Sequence, residues 1–283
     1  MPLSKLASAW QLEALVLVTS AIALLLFAQG FARLRRRGRH DHAALGRAVL
    51  FVVAVAAGTL ALVSPLDAAG ESYLLSAHML QHLVIADAVP ALALVALRGP
   101  LLFFFLPAFL LRPLARMGPL RSVASFLLRP RISFAAWALV IAAWHVPVAY
   151  DYTLGHPVTH SLEHASFLLV GLLVWFQLVD PARRGVLTIG QRLAYAGLLF
   201  GSGLALVCVL IASPGPLYPT YAAVQAHLFG LSPLQDQRLA GVLMVAEQML
   251  ALGACVAFLL PGRRRTPACG ARARAVLRLG RAA

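Results

Sequence analysis

The chain has 283 residues, of which 61% are hydrophobic and 12% are charged. A soluble globular domain carries about 25% charged residues, so the composition excludes an ordinary soluble domain and predicts a polytopic membrane protein. The formal net charge of +14 does not indicate nucleic-acid binding, because the arginines are grouped in separate segments between long apolar runs.

Seven apolar runs are long enough to cross about 30 Å of hydrocarbon. They lie at 10–32, 44–64, 76–97, 132–152, 158–179, 192–212 and 236–260. The segment 101–129 is interrupted by Pro107, Arg112 and Pro113, so we predict that it lies in the membrane interface. The predicted fold is an all-α bundle of seven transmembrane helices within residues 1–262, followed by a basic tail at 263–283.

The arginines also predict the orientation of the bundle. They cluster in 33–47, 98–131, 183–192 and from 263 onward, whereas the alternate connections contain no lysine or arginine; these are 64–75, 153–157 and 213–235. Basic connections stay on the cytoplasmic side of a membrane. We therefore expect the N-terminus outside, the C-terminal tail in the cytoplasm, and an odd number of spans.

The third predicted helix carries the first pair of histidines. His78 and His82 are four residues apart, so at about 100° per residue their imidazoles lie on one face, one turn apart. That spacing allows both side chains to bind one metal ion. Asp87 lies deeper on a different face, and we expect it to be buried between helices and not to join this site.

The fourth and fifth predicted helices add three more histidines. The fourth ends in the sequence W-H-V-P, which contains His145, and the fifth begins with H-S-L-E-H, which contains His160 and His164. The predicted orientation places all five histidines near the outer ends of their spans. Ionisable side chains are rare within spans and usually functional, so this pattern predicts a metal or haem site.

The residues alone do not identify the metal. Imidazole suits copper, zinc and iron about equally. Met79, Cys208 and Met244 are candidate soft ligands for Cu(I), although a methionine in an apolar helix usually serves packing and the default interpretation of Cys208 is a small buried hydrophobic side chain.

Five ordered motifs resemble the CtaG-type cytochrome c oxidase assembly factors, which are polytopic bacterial membrane proteins. The motifs are H-M-L-Q-H at 78–82 with Pro90 and R-G-P at 98–100, W-H-V-P at 144–147, Y-D at 150–151, H-S-L-E-H-x-S-F at 160–167, and D-Q-R-L-A-G at 236–241. The resemblance covers roughly 44–260.

The resemblance implies a function and a set of site residues. The function is the maturation of a haem–copper oxidase in the bacterial cytoplasmic membrane, with oxidase subunits as partners and copper as the metal. The family's histidine positions fall on His78, His82, His145, His160 and His164. Its acidic positions fall on Asp151, Glu163 and Asp236, which would orient imidazole N–H groups. In this interpretation the protein is not an enzyme.

Two other functions remain open from the residues. A zinc-dependent intramembrane hydrolase would use zinc to activate water, with Ser76, Asp151 or Glu163 assisting. A b-type cytochrome would take one axial histidine from each of two opposing helices.

Overall fold

The computed structural model describes residues 6–225 and 228–264, with side chains as far as residue 260, and this part of the chain is helical. The α-helices are α1 (Ala14–Arg36), α2 (Leu45–Val63), α3 (Pro65–Ser72), α4 (Leu75–Leu83), α5 (Val89–Leu97), α6 (Pro100–Phe105), α7 (Ala108–Arg116), α8 (Gly118–Leu127), α9 (Pro130–Trp144), α10 (Pro147–Leu154), α11 (Pro157–Val179), α12 (Ile189–Ala212), α13 (Pro219–Ala222) and α14 (Pro233–Arg264). A π-helical segment, Val84–Ala88, joins α4 to α5. The predicted tail begins at residue 263 and lies almost entirely outside the described residues, as does His227.

Six spans are long and apolar enough to cross a membrane within the described residues. They are α1, α2, the continuous segment Leu75–Leu97 formed by α4 and α5, α11, α12, and Pro233–Leu260 of α14. A seventh would require α8 and α9 to act together, and these two helices meet at 77°. The structure thus confirms an all-α membrane protein with six or seven candidate spans.

The structure divides the predicted fourth span, which was expected to run from 132 to 152. Helix α9 ends at Trp144 and α10 starts again at Pro147. Pro147 has no backbone N–H to donate to the carbonyl of residue 143, so a continuous helix is interrupted there. The 15 residues of α9 are about 22 Å long, which is less than the hydrocarbon thickness of about 30 Å. The predicted interfacial segment 101–129 forms the short helices α6, α7 and α8.

The histidine-bearing helix α4 is interrupted directly after its second histidine. Pro90 cannot donate a hydrogen bond to the carbonyl of Ala86, and the chain takes π-helical turns at Val84–Ala88 before it. Helix α11 packs closely at this point, because a Cβ on Gly171 would lie only 2.0 Å from the Ala86 carbonyl oxygen. π-Helical turns within a helix are frequent at functional sites.

Helix α4 lies at the centre of the bundle. It packs against α3 and α14, its π-helical extension packs against α11, and α14 in turn packs along α12. The fit to α3 is tight, since a Cβ on Gly70 would lie 2.9 Å from the Cα of His78. This arrangement places the histidine faces of α4 and α11 opposite one another.

Candidate metal centre

Two histidine pairs, one from α4 and one from α11, form a buried four-imidazole cluster. Within each pair the ring centroids lie 4.3 Å apart for His78 and His82, and 4.2 Å apart for His160 and His164. Across the helices, His78 faces His160 and His82 faces His164, each at 5.2 Å. One nitrogen from each ring lies within 4.8 Å of the others. The cluster could therefore hold a metal ion.

The two nitrogens that approach most closely are correctly spaced for a shared ion. The Nε2 atoms of His78 and His160 are 3.2 Å apart. Two nitrogens bound to one tetrahedral ion at about 2.0–2.1 Å would be about 3.3 Å apart. Two imidazole nitrogens at this distance either share a proton or bind a common cation.

Hydrogen bonds fix which nitrogen His78 directs into the cluster. The hydroxyl of Tyr221 donates to the carbonyl of Gly70 at 2.6 Å, so it accepts from Nδ1 of His78 at 2.8 Å. With the proton held on Nδ1, the lone pair of a neutral His78 is on Nε2, which points at His160. Such a hydrogen bond on the outer nitrogen is the usual support for a metal-binding histidine.

His160 has an equivalent support from a carboxylate. Its Nδ1 lies 3.0 Å from Oε1 of Glu71, which belongs to α3. The hydrogen bond to His160 lowers the pKa of Glu71 from its ordinary value, so this carboxylate is ionised and holds the proton on Nδ1. The Nε2 atoms of His78 and His160 then face each other, and either a proton or a metal ion between them stabilises this arrangement.

The inner half of the cluster contains several polar atoms without partners. Both ring nitrogens of His82, Nε2 of His164 and both carboxylate oxygens of Glu163 are buried and make no hydrogen bond within the described residues. Nε2 of His82 and Oε1 of Glu163 are 3.8 Å apart. Buried polar atoms are nearly always satisfied by a protein group, a water or an ion. These orphaned nitrogens fit a metal ion bound among the four rings.

His145 does not join the four rings. Its Nδ1 is hydrogen-bonded to the carbonyl of Ile141 in its own helix at 2.8 Å, and its buried Nε2 has no partner. The Phe167 ring packs against both histidines, with its centroid 4.7 Å from that of His82 and 6.2 Å from that of His145. His145 instead lines a cavity of about 60 Å³ that also reaches His82 and Asp87.

The predicted acidic residues have three different positions. Glu163 faces His82, as described above. Asp236 of α14 accepts hydrogen bonds from the backbone N–H groups of Leu75 and Ser76, at 2.6 and 3.2 Å, and from the hydroxyl of Ser76. It therefore caps the N-terminus of α4 and makes no hydrogen bond to an imidazole. Asp151 accepts a weak bond from the N–H of Thr220 at 3.4 Å.

The predicted soft ligands lie outside the four-nitrogen set. Met79 and Met244 are buried in an apolar cluster with Tyr150 and Tyr218. Cys208 is exposed on α12. Asp87 accepts a hydrogen bond from the indole of Trp175 and is not part of the histidine cluster. The described structure thus offers the ion nitrogen ligands with a carboxylate nearby.

Sequence reasoning missed two residues that support the histidines, Tyr221 and Glu71. Both lie in segments outside the predicted spans, where polar residues are common and do not by themselves indicate a function. Glu71 has a weak signal in the sequence, because it is an acid in the connection directly before the H-M-L-Q-H motif. Tyr221 has none, since 143 positions separate it from His78.

The fold and the site define a polytopic helical membrane protein with a buried imidazole cluster. The family model of the cytochrome c oxidase caa3 assembly factors, Caa3_CtaG, matches residues 25–265. The chain belongs to this family, and the resemblance drawn from the motifs is confirmed. Neither the curated proteins nor the solved structures gave a match.

Proposed function

We propose that this protein binds copper at the four-imidazole cluster and passes it to a cytochrome c oxidase during assembly. The observation that carries the proposal is the group of four buried imidazoles with facing nitrogens within 4.8 Å of one another. Membership of an oxidase assembly family supplies the partner. Copper is the cargo in this proposal, and the protein needs to perform no turnover.

Copper is favoured by the ligand chemistry together with the family. Among divalent first-row ions, nitrogen sites bind Cu²⁺ most tightly. A haem–copper oxidase requires copper. The four imidazoles could also bind zinc, so the site selects copper only through its higher affinity. Met79 and Cys208 lie outside the cluster, so we expect nitrogen ligation only.

Glu71 marks the side from which the ion enters and leaves. The carboxylate is one-third exposed, whereas His78 is completely buried and His160 is 7% exposed. A cation approaching along α3 meets Glu71 first and then the ring of His160. We place this end of the bundle on the outer face of the bacterial cytoplasmic membrane, where an extracytoplasmic oxidase domain would receive copper.

Expression of variants in a strain that lacks the wild-type protein tests the proposal. His82→Ala and His164→Ala should lower copper bound to the purified protein and lower oxidase activity together, while membrane levels stay normal. His156→Ala is a matched control because His156 lies one turn before the α11 pair and is exposed. Full oxidase activity in both cluster variants would contradict copper delivery.

The orientation has its own experiment. An alkaline phosphatase fused after Gly230 should be active and one fused after Arg184 inactive, because the outer connections carry no arginine. The reverse pattern would place the cluster on the cytoplasmic side and contradict delivery at the outer face.

A zinc-dependent hydrolase remains a second candidate because Glu163 lies beside His82 with both oxygens unpartnered, as a general base would. Ser76 donates its hydroxyl to Asp236, and neither residue is part of the four-histidine group. A haem fits less well. Its two axial nitrogens would have to lie about 4 Å apart, which is twice a metal–nitrogen bond, whereas those of His78 and His160 are 3.2 Å apart. Zinc without copper in the purified protein would favour the hydrolase, and a Soret band would favour haem.

A further inference from the structure

A group of arginines lies at the opposite end of the bundle from the histidines, where α5, α11 and α14 end. Arg98 follows α5 directly and is 16 positions, or about 24 Å of helix, beyond His82. The loop is held in place because Gly99 N–H donates to the carbonyl of Pro181 at 2.7 Å and Arg47 donates to the carbonyl of Arg98. The backbone around Arg98 is therefore fixed by neighbours on both sides.

Positive charge around this loop exceeds the negative charge of the two carboxylates that act on it, Asp180 on Arg98 and Asp41 on Arg47. The guanidinium of Arg98 is repelled by those of Arg183, Arg192 and Arg47. Arg192 is neutralised by Asp180 at 2.8 Å, and that carboxylate is also occupied by two backbone N–H groups. Arg47, Arg98 and Arg183 form no salt bridge within the described residues.

Arg98 is partly withdrawn from water. Its Nε is buried and has no hydrogen-bond partner, and its guanidinium lies 5.3 Å from the ring centroid of Phe258 on α14. Burial and the neighbouring guanidiniums lower the pKa of Arg98 from its ordinary value. A buried, unpaired donor beside like charges is costly, and an anion bound there would offset both costs.

An apolar groove begins at Phe258 and runs toward the middle of the bundle. Its walls are α5 and α14 and its floor is α11; the lining includes Ala88, Ala91, Trp175, Ala251, Ala254 and Phe258. From Phe258 to Glu247 on α14 the groove extends 11 positions, or about 16 Å, which is close to half of a hydrocarbon core of about 30 Å. The groove is therefore about as long as the hydrocarbon of one leaflet is thick.

The groove has a volume of about 410 Å³ along about 16 Å of α14, and its lining is apolar except for Glu247 at its inner end. An extended acyl chain can lie along such a groove. We propose that the groove and the arginines together form a binding site for one anionic phospholipid, with its phosphate on Arg98, Arg183 and Arg47 and one acyl chain along α14.

The arginines and the groove match the two parts of one lipid molecule, the phosphate and the acyl chain. Arginine binds phosphate through two parallel N–H donors, and basic pockets between helix ends recognise lipid headgroups in this way. The acyl chain covers alanine-lined surface that no other described side chain covers. A phosphatidylcholine would fit the groove equally well, but its headgroup carries no net charge and would leave the arginines unmatched.

Native mass spectrometry of the detergent-purified protein with added lipids tests this site. Phosphatidylglycerol should bind at least about tenfold more tightly than phosphatidylcholine with matched chains. Arg98→Gln should remove most of that preference, since it deletes the charged fork. Arg116→Gln is the matched control, because Arg116 is an exposed arginine on α7, and it should leave the preference unchanged.

A groove variant separates a lipid from a free anion and does not touch the arginines. Ala254→Phe should fill the groove and weaken phosphatidylglycerol about tenfold, whereas Ala142→Phe, on an exposed face of α9, should not. If inorganic phosphate binds as well as the lipid and Ala254→Phe has no effect, the site is a phosphate site and the proposal is overturned. Equal binding of both phospholipids would overturn it too, as would capture of an acidic protein segment at Arg98 in place of lipid.

Discussion

Tyr221→Phe is the substitution that most sharply separates support of the metal site from packing. It removes one oxygen atom that links His78 Nδ1, at 2.8 Å, to the carbonyl of Gly70, at 2.6 Å. Without that acceptor His78 is free to carry its proton on Nε2, the nitrogen that faces His160. Loss of such a supporting hydrogen bond typically lowers metal affinity about 10–100-fold, which corresponds to about 1.4–2.7 kcal/mol of binding free energy.

The same substitution also leaves buried polar groups unpaired, which costs about 1–3 kcal/mol of folding stability. Copper titration of the folded protein, with thermal unfolding of the metal-free protein alongside, distinguishes the two effects. Tyr218→Phe is the matched control, because Tyr218 is equally buried and its hydroxyl donates to the carbonyl of His145 at 3.3 Å. Tyr218→Phe should lose stability and keep its copper affinity. Unchanged copper affinity in Tyr221→Phe would refute the argument that this tyrosine fixes the histidine tautomer.

Three further substitutions test the frame of the site by thermal unfolding in detergent and copper titration. Asp236→Ala removes the cap of α4 and should cost about 1–2 kcal/mol of stability, with weaker copper binding; an unchanged melting temperature would contradict the capping role. Gly171→Val should push α11 away from Ala86, since even a Cβ would lie 2.0 Å from that carbonyl oxygen, and should lower both stability and copper content; normal copper content would show that close packing is not needed. Burial raises the pKa of Asp67 from 3.8 to about 6, so ionising it costs folding stability that is regained as the pH falls from 6 toward 4. Asp67→Asn should therefore be about 1–3 kcal/mol more stable than wild type at pH 8, and equal to it at pH 4; a stability gain that is the same at both values would contradict the assignment.

The sequence predicted the histidine pairs because their chemistry depends on local periodicity. Four-residue spacing on a helix places His78 with His82, and His160 with His164, whatever the rest of the fold does. The arginine distribution then predicted that both pairs lie at one end of the bundle. The sequence also suggested that the two pairs would meet, but it did not predict the packing that brings them together, which involves Gly171 and the π-helical turns before Pro90.

Equivalent motifs proved to have different environments. Gln81 and Glu163 occupy matching positions in H-M-L-Q-H and H-S-L-E-H. Gln81 donates to the carbonyl of Ala61 at 3.0 Å, away from the four-imidazole cluster, whereas Glu163 faces His82. Asp236 was expected to orient an imidazole and caps a helix instead. Spacing along the chain specifies the face of a helix on which a side chain lies, but the neighbouring helix decides what that face contacts.

His145 shows that the predicted depth of a residue in the bundle also does not decide what its side chain contacts. It lies close to the four clustered histidines, as its position in the sequence predicted, yet it is not one of the four whose nitrogens approach one another. Depth in the bundle therefore did not predict which of the five histidines face one another.

Copper X-ray absorption of the purified protein, combined with elemental analysis, tests the central claim most directly. The account predicts bound copper with imidazole nitrogen ligands and no sulfur ligand, retained in His156→Ala and lost in His82→Ala and His164→Ala while the proteins remain folded. Copper that persists in both cluster variants, or a wild-type spectrum with sulfur ligands, would contradict a copper site made by the two histidine pairs.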